Sequence, residues 1–425
     1  MINLRVNISD YIPPCWYEFW DDVHKHKYDI YRSPGGRGSL KTTIACMATL
    51  DLIMRYPFAC AVVFQKEQNL LRDGSYANYS KVIHRLGLSN YFKFCYSPLK
   101  IIYKPTGQYI LFRGFDDPTK TKTIATDRDD TYFAIQHFEE LDRFHGENDI
   151  SMATQSVQRG GELFWTFQTY NPPQNRHNWV NTSTEHPSEG MKVYHTDYRM
   201  IPPAWLGKTF YNEMRRVRQR SELDYQWMYL GIATGNGGAV FKNIKEVKIT
   251  PDMISEFDNV YNGLDWGWNP DPHCFVRWHY DINTDYLYAL DEFHGIETPT
   301  ADVGRKILSL GYNDTYTVAD GAIGETVPTL LGVGVRAQKM YKGHSGNKSR
   351  EFGIQWLASR KGICIDKNLT PFIYDEFMGY EYKRGPHDPD KFLNLPIDYN
   401  DHSVDASRYA LSLHYQLYGD DNFCE

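Results

Sequence analysis

The stretch Tyr31-Arg32-Ser33-Pro34-Gly35-Gly36-Arg37-Gly38-Ser39-Leu40-Lys41-Thr42 constrains this chain more than any other. A strand-like run, Lys27 to Tyr31, precedes the glycines, and an apolar helical pattern through Ile44, Ala45, Met47, Ala48 and Leu52 follows them. Between a strand and a helix, such a loop can curl its backbone N–H groups around phosphate oxygens, and the helix N-terminus adds a favourable dipole. Gly36, Gly38 and Ser39 would line that cradle, with Arg37 placed to meet the γ-phosphate. Lys41 would reach the β- and γ-phosphates of ATP, and the Thr42 hydroxyl would coordinate Mg²⁺. One position departs from the usual pattern. Leu40 stands where the motif has its last glycine, so the backbone there must tolerate a Cβ and a bulky side chain.

A chain of 425 residues suits two domains rather than one. No apolar run approaches the roughly 20 residues that span a bilayer, and the N-terminus lacks the basic and apolar regions of a signal peptide. The seven cysteines form no Cys-x-x-Cys pair, so neither a zinc site nor a disulfide framework is suggested, and a reducing cytoplasm is expected. The net charge of −7 argues only weakly against a nucleic-acid partner, because acidic catalytic clusters lower the total. Local basic candidates are Arg215, Arg216, Arg218 and Arg220, or Lys339, Lys342, Lys348 and Arg350, although such clusters are more often solvated helix faces.

The first half alternates strand-like and helix-like segments, which predicts an α/β domain with a mainly parallel sheet. Its strands are expected at Phe58 to Phe64, Tyr132 to Phe138 and Leu163 to Gln168, with a hairpin formed by Ile101 to Tyr103 and Tyr109 to Phe112. The glycine-rich Ala233 to Ala239 marks a boundary. It gives a first domain over 1–235, a linker over 236–257 and a second domain over 258–425. The second half restarts with strands at Gly263 to Trp268, His273 to Tyr280 and Tyr286 to Phe293, and a further one at Tyr316 to Ala319.

Two constellations carry chemistry. Tyr132 to Phe138 runs into Glu139-Glu140, and two acids at a strand end downstream of a phosphate loop suit metal-dependent NTP hydrolysis. Glu139 would take the metal side and Glu140 the attacking water, while Asn171, in the turn after the next strand, would sense the γ-phosphate. Arg72 or Lys66 would be the cation offered to a neighbouring subunit's nucleotide. In the second half, Asp265 lies in a strand, Asp320 at another strand end, and Asp405 on a late helix with His402 on the same face. Acids in that order suit a ribonuclease-H-like nuclease, whose carboxylates gather on two Mg²⁺ or Mn²⁺ ions. Asp291 and Glu292 rank behind them, since strand-end acids are common on surfaces.

The motifs Gly-Gly-Arg-Gly-Ser-Leu-Lys-Thr (35–42), Phe-Arg-Gly-Phe-Asp-Asp-Pro (112–118), Phe-Glu-Glu-Leu (138–141) and Tyr-Asn-Pro-Pro (170–173) occur in one order. Gly-Leu-Asp-Trp-Gly (263–267), Ala-Asp-Gly (319–321) and Asp-His-Ser-Val-Asp-Ala-Ser-Arg-Tyr-Ala (401–410) continue it. In this the chain resembles the large terminase subunits of tailed bacteriophages over nearly its whole length, and in particular their compact branch. The resemblance implies a P-loop ATPase domain followed by a ribonuclease-H-like nuclease domain, in a motor that drives double-stranded DNA into the prohead and cuts concatemeric DNA. It further implies a portal protein and a small terminase subunit as partners, and a homo-oligomeric ring, a pentamer. Such a ring works in the host cytoplasm, transiently at the portal vertex, and is not retained in the mature virion. Carried across, Lys41 and Thr42 match the phosphate-loop pair, Glu139 and Glu140 the metal-side acid and the catalytic glutamate, and Thr169 to Asn171 the coupling motif. Asp265, Asp320 and Asp405 match the nuclease acids, with His402 as accessory ligand or proton handler. The alternative is a host repair or defence ATPase–nuclease without a portal partner. Lys383 to Asp398, expected as a loop between helix-like segments, is a candidate restraint on cutting.

Overall fold

The computed structural model describes residues 10–116, 124–235, 237–269, 271–320, 324–340, 349–385 and 392–418. Asp117, Pro118, Gly321, Lys342 and Lys348, named above, lie outside them. The chain divides into two compact units, Met1–Gly237 and Gly238–Glu425. Among the described residues, no helix is long and apolar enough to cross a membrane.

The first unit is built on a sheet of eight strands in the order β3-β4-β5-β2-β6-β7-β1-β8. These are β1 (Ile30–Pro34), β2 (Ala59–Gln65), β3 (Phe92–Tyr96), β4 (Leu99–Tyr103), β5 (Tyr109–Gly114), β6 (Tyr132–Glu139), β7 (Trp165–Tyr170) and β8 (Met191–Val193). All neighbours run parallel except β3 with β4 and β4 with β5. Every residue of β2 is buried. Its side chains alternate between two cores: Ala59, Ala61 and Val63 join the cluster containing the helix Lys41–Arg55, and Cys60, Val62 and Phe64 join the cluster containing Phe133, Phe138 and Phe144. A central parallel strand covered on both faces therefore reads as one apolar run. Strand β7 lies between β1 and β6, in register Ser33↔Thr169 and Glu139↔Thr169, which sets Thr169 beside both the loop strand and the acid strand.

The second unit carries a sheet of seven strands in the order β14-β13-β10-β11-β12-β15-β9. They are β9 (Ile244–Glu246), β10 (Val260–Asp265), β11 (His273–Asp281), β12 (Tyr286–Gly295), β13 (Thr317–Ala319), β14 (Ala337–Lys339) and β15 (Gly362–Ile365). An antiparallel β10–β11–β12 meander with parallel β13 and β14 beyond β10 is the ribonuclease-H-like arrangement. The helix His402–Ala410 crosses β10 closely: a Cβ on Gly263 would lie 2.0 Å from the Ala406 carbonyl oxygen. Glycine is required there for that approach.

Two sequence expectations change. Of 236–257, read as a linker, residue 236 lies outside the described residues and Gly237 closes the first unit, while Ile244–Glu246 pairs with β15 and Pro251–Glu256 is helical, so 238–257 belongs to the fold of the second unit. Lys383 to Asp398, of which 386–391 lie outside the described residues, is not a plain loop, because β17 (Phe392–Pro396) within it pairs antiparallel with β16 (Tyr382–Arg384).

Candidate nucleotide and metal sites

The phosphate loop follows β1 and opens into the helix Lys41–Arg55. Its glycines are sterically fixed. A Cβ on Gly35 would lie 2.4 Å from the Thr196 carbonyl oxygen, and one on Gly36 would lie 2.0 Å from that of Tyr229. Gly38 and Leu40 take left-handed backbone, with φ of 79° and 64°. The missing glycine at position 40 is thus a position that does need positive φ, and the leucine holds it at a cost of about 1 kcal/mol or more. Ser39 is buried, and its hydroxyl has no hydrogen-bond partner among the described residues. An orphaned hydroxyl under a cradle that only glycine fits, with Lys41 and Thr42 at its end, suits the phosphates of a nucleotide. The Lys41 ammonium donates to Asn171 Oδ1 at 2.5 Å and to the Gly36 carbonyl at 3.5 Å. Burial draws its pKa down to about 8, against the opposing pull of Glu139.

The strand order brings Glu139 to this loop. Thr42 Oγ1 donates to Glu139 Oε1 at 2.7 Å, and Thr169 Oγ1 donates to Glu139 Oε2 at 2.5 Å. His137 Nε2 lies 3.1 Å from Glu139 Oε2 and 2.9 Å from Thr169 Oγ1, while its Nδ1 meets the Tyr79 hydroxyl at 3.0 Å. Burial raises the Glu139 carboxyl, but His137 and the two threonine hydroxyls outweigh it and hold the group below its usual range. A carboxylate kept ionised beside a threonine hydroxyl is the hard-oxygen pairing that suits Mg²⁺. Glu140 behaves oppositely. Burial, then the charges of Asp142, Glu139 and Glu67, push its pKa to about 7 despite Arg143. It sits at φ 54°, a left-handed conformation rare for glutamate, and accepts from Gln65 Nε2 at 3.2 Å. Lys66 is paired with Asp149 at 2.8 Å, and Arg72 lies over the Tyr96 ring.

In the second unit, Asp265 ends β10 and Asp320 follows β13, its amide bonded to the Leu264 carbonyl at 3.2 Å. His402 Nδ1 lies 3.4 Å from Asp265 Oδ2. Burial raises the Asp265 carboxyl, His402 draws it back, and the charges of Asp405 and Asp320 raise it further, so three acids share one field. Burial alone would lower His402, yet Asp265, Glu376 and Asp401 lift it to about 9. Asp405 is turned to cations: its Oδ1 accepts from Arg408 Nε at 3.0 Å, with Arg350 Nε at 3.8 Å. Among the described residues no three acid, histidine or cysteine side chains close on one point as a metal cage. The donor set, three mutually repelling carboxylates with one imidazole, nevertheless fits hard divalent cations, whose charge would relieve that repulsion.

Several roles were hidden from sequence reasoning. His137, a polar residue that weakens β6 as a strand signal, braces Glu139. Glu376, only 7% exposed, accepts both the backbone N–H and the hydroxyl of Ser403, at 2.5 and 2.6 Å, and so pins the start of the helix that carries Asp405. Glu292 accepts the N–H groups of Phe372 and Ile373, and Asp291 accepts from the Tyr312 hydroxyl, so both serve structure. Arg216, Arg218 and Arg220 of the helix Pro203–Arg220 pair with Glu213 of the same helix and with Glu222 and Asp224 of the next one, Glu222–Leu230.

A phosphate-loop α/β unit and a ribonuclease-H-like unit in one chain define the class of two-domain ATPase–nucleases. Comparison with known proteins narrows the class. The family model described as phage terminase large subunit matches residues 25–232. Over 420 residues the chain is 34% identical to the terminase large subunit of Bacillus phage SPP1, covering 96% of each. The chain belongs to the family of phage terminase large subunits. The crystal structure of the HK97 bacteriophage large terminase shares its fold, with a TM-score of 0.53 at 12% identity over 96% of this chain and 95% of that one. The manganese-bound nuclease domain of the SPP1 protein is 30% identical over 41% of this chain and 98% of that chain, with a TM-score of 0.39.

Proposed function

We infer that this chain is the motor subunit of a viral DNA-packaging machine, in which ATP hydrolysis drives double-stranded DNA into a prohead and a nuclease cuts the concatemer. The observation that carries the reading is full-length kinship at 34% identity to a terminase large subunit. In the first unit, Lys41 and the loop amides bind the phosphates, and Thr42 with Glu139 would hold Mg²⁺. Glu140, at about 7, is poised to take a proton from water near neutral pH. Asn171 bonds Lys41, so loss of the γ-phosphate would be felt through that contact at the end of β7.

In the second unit, Asp265, Asp320 and Asp405 would hold two Mg²⁺ or Mn²⁺ ions. Bound there, the ions supply a clamp on the attacking and leaving oxygens of a phosphodiester. His402 neutralises Asp265 and handles protons at that edge, and Arg408 and Arg350 hold Asp405 in place. Double-stranded DNA, a portal protein, a small terminase subunit and further copies in a pentameric ring on the prohead are the proposed partners. The proposed place of work is the host cytoplasm.

The test is plasmid cleavage in Mn²⁺ or Mg²⁺ alongside ATP hydrolysis, for the intact chain, Asp320→Ala and Lys41→Ala. Cleavage lost only in Asp320→Ala and hydrolysis lost only in Lys41→Ala is the expected result. Neither activity in the intact chain, with DNA and both metals supplied, would sink the assignment.

A further inference from the structure

The end of the second unit's sheet that carries Asp265 offers further groups to a bound substrate. Asp265 pairs with Cys274 and Cys274 with His294, so the three form one row across β10, β11 and β12. Directly opposed residues of antiparallel strands point to the same face, which puts His294 on the face of Asp265. The helices Pro371–Gly379 and His402–Ala410 cover that face, because Cys274 clusters with Phe377, Val404 and Ala406. Two strand spacings, about 10 Å, separate Asp265 from His294. One DNA strand covers that span in about three nucleotides, at about 3.4 Å each. The exposed His294 ring stacks on Phe372 with 4.0 Å between centres, and its nitrogens make no hydrogen bond among the described residues. Its stem is held while its N–H stays available.

Two connections form the rim of this sheet end. The one from β10 to β11 leaves at Asp265 and returns to the site at Asp271, whose Oδ1 lies 3.9 Å from His402 Nε2. It doubles back tightly: a Cβ on Gly267 would lie 2.4 Å from the carbonyl oxygens of both Asp271 and Pro272. The chain leaving β12 is tied to it. The Glu297 N–H donates to the Trp268 carbonyl at 2.8 Å, and Asn269 Nδ2 donates to Glu297 Oε1 at 2.7 Å. On either side of that backbone bond stand Trp268, 52% exposed, and Ile296, 55% exposed. Of the ten tryptophans of the chain, only Trp268 is exposed. The charges of the rim itself, Asp271 and Glu297, are acidic, so what it can offer a polyanion is apolar surface. Apolar side chains fastened beside a phosphodiester-cutting site fit the sugars and bases of a minor groove, where proteins insert such wedges.

We propose that this sheet end seats the DNA duplex for cutting: His294 donates to a phosphate oxygen about three nucleotides from the scissile bond, and Trp268, with Ile296, lies against the minor groove. The inference rests on the nuclease reading above. Both His294 and Trp268 hold substrate and take no part in making or breaking bonds. They fix where the phosphodiester lies against Asp265, Asp320 and Asp405.

The experiment measures duplex cleavage by the full chain in Mn²⁺ over a range of DNA concentrations, and tryptophan emission as DNA is added. His294→Ala is expected to raise KM roughly tenfold with kcat little changed, the cost of one hydrogen bond to a charged oxygen. His294→Gln keeps an N–H donor and should recover most of that loss. Trp268→Ala should also raise KM roughly tenfold, within the range for a base face resting on an aromatic ring. Trp268→Phe should restore KM yet lose the DNA-dependent change in emission that the wild type shows. In all four variants ATP hydrolysis and the upward shift in melting temperature caused by Mn²⁺ should match wild type, which separates lost seating from misfolding. An unchanged KM in both alanine variants, a fall in kcat alone, or a DNA-dependent emission change that survives in Trp268→Phe would each overturn the inference while leaving the nuclease assignment intact. A wild type that cuts DNA in neither Mn²⁺ nor Mg²⁺ would bring down that assignment itself.

Discussion

Both oxygens of Glu139 are engaged, Oε1 by the Thr42 hydroxyl and Oε2 by Thr169 and His137. The helix after the phosphate loop, β6 and β7 thus meet at a single carboxylate. The glutamate pair and the Lys41-Thr42 pair are legible in the sequence because each is a local string. His137 is not, because its function comes from β7 lying between β1 and β6, a strand order that no spacing encodes. If Glu139 holds Mg²⁺ as proposed, His137→Leu should lower ATP turnover by roughly 10–100-fold, the usual cost of removing a group that orients a metal ligand. It should also cost about 1–3 kcal/mol of stability, since buried hydroxyls of Tyr79 and Thr169 lose a partner. Metal-dependent plasmid cleavage should stay at the wild-type level, which separates loss of the brace from general unfolding. Leu40 marks a different limit. Its side chain argues against a phosphate loop, and only the left-handed φ of 64° shows that the backbone keeps the loop's shape regardless.

The central strands β2, β6, β11 and β12 are legible as elements because their apolar runs are long, whereas β8, β9 and β14 have three residues each and exist through pairing alone. Strand β1 is displaced from the expected Lys27 to Tyr31 to Ile30–Pro34, because β7 and β8 both pair with it. Packing of one helix on another was not legible either. The helix Tyr17–His24 is tied to the phosphate-loop helix Lys41–Arg55 by His24, whose Nδ1 lies 2.6 Å from the Trp20 carbonyl and whose Nε2 lies 2.7 Å from Asp51 Oδ2. Both partners are acceptors, so both ring nitrogens must carry protons. Burial lowers the His24 pKa, but Asp51 and the Trp20 carbonyl raise it more, to a net value above 6.5. Burial raises Asp51, but His24 and Arg55 hold it below 3.8. The histidine contribution is therefore full below its unfolded pKa of 6.5 and is lost as pH rises through the higher folded value; the aspartate contribution is lost as pH falls through its depressed one. His24→Leu should cost about 1 kcal/mol at pH about 5.5, and the gap should close toward pH about 8.5. Urea denaturation at the two pH values measures it; a gap independent of pH would mean that His24 contributes by packing.

Each unit of the whole molecule has cores of its own: the buried clusters around Ile44, Val63 and Ile110, and around Val62, Phe133 and Phe138, in the first, and those around Val276, Trp278 and Ile365, and around Leu264, Phe275 and Leu330, in the second. Cooperative unfolding follows shared burial, so two units with separate cores are expected to melt as two transitions. Ligands that bind only the native form of one unit should move only that unit's transition. With a non-hydrolysable ATP analogue and Mg²⁺ at about 100 times the dissociation constant, the first unit should gain about 2.7 kcal/mol. For a unit of this size that is a shift of roughly 5–10 °C. Mn²⁺ without nucleotide should raise the other transition, by relieving the repulsion among Asp265, Asp320 and Asp405, and Asp320→Asn should abolish that rise. Calorimetric scans with nucleotide, with Mn²⁺ and with Mg²⁺ alone assign each transition to its unit. A single transition raised alike by nucleotide and by Mn²⁺ would mean that the two catalytic units share their stability, and the ATPase and nuclease halves would then have to be understood as one cooperative body.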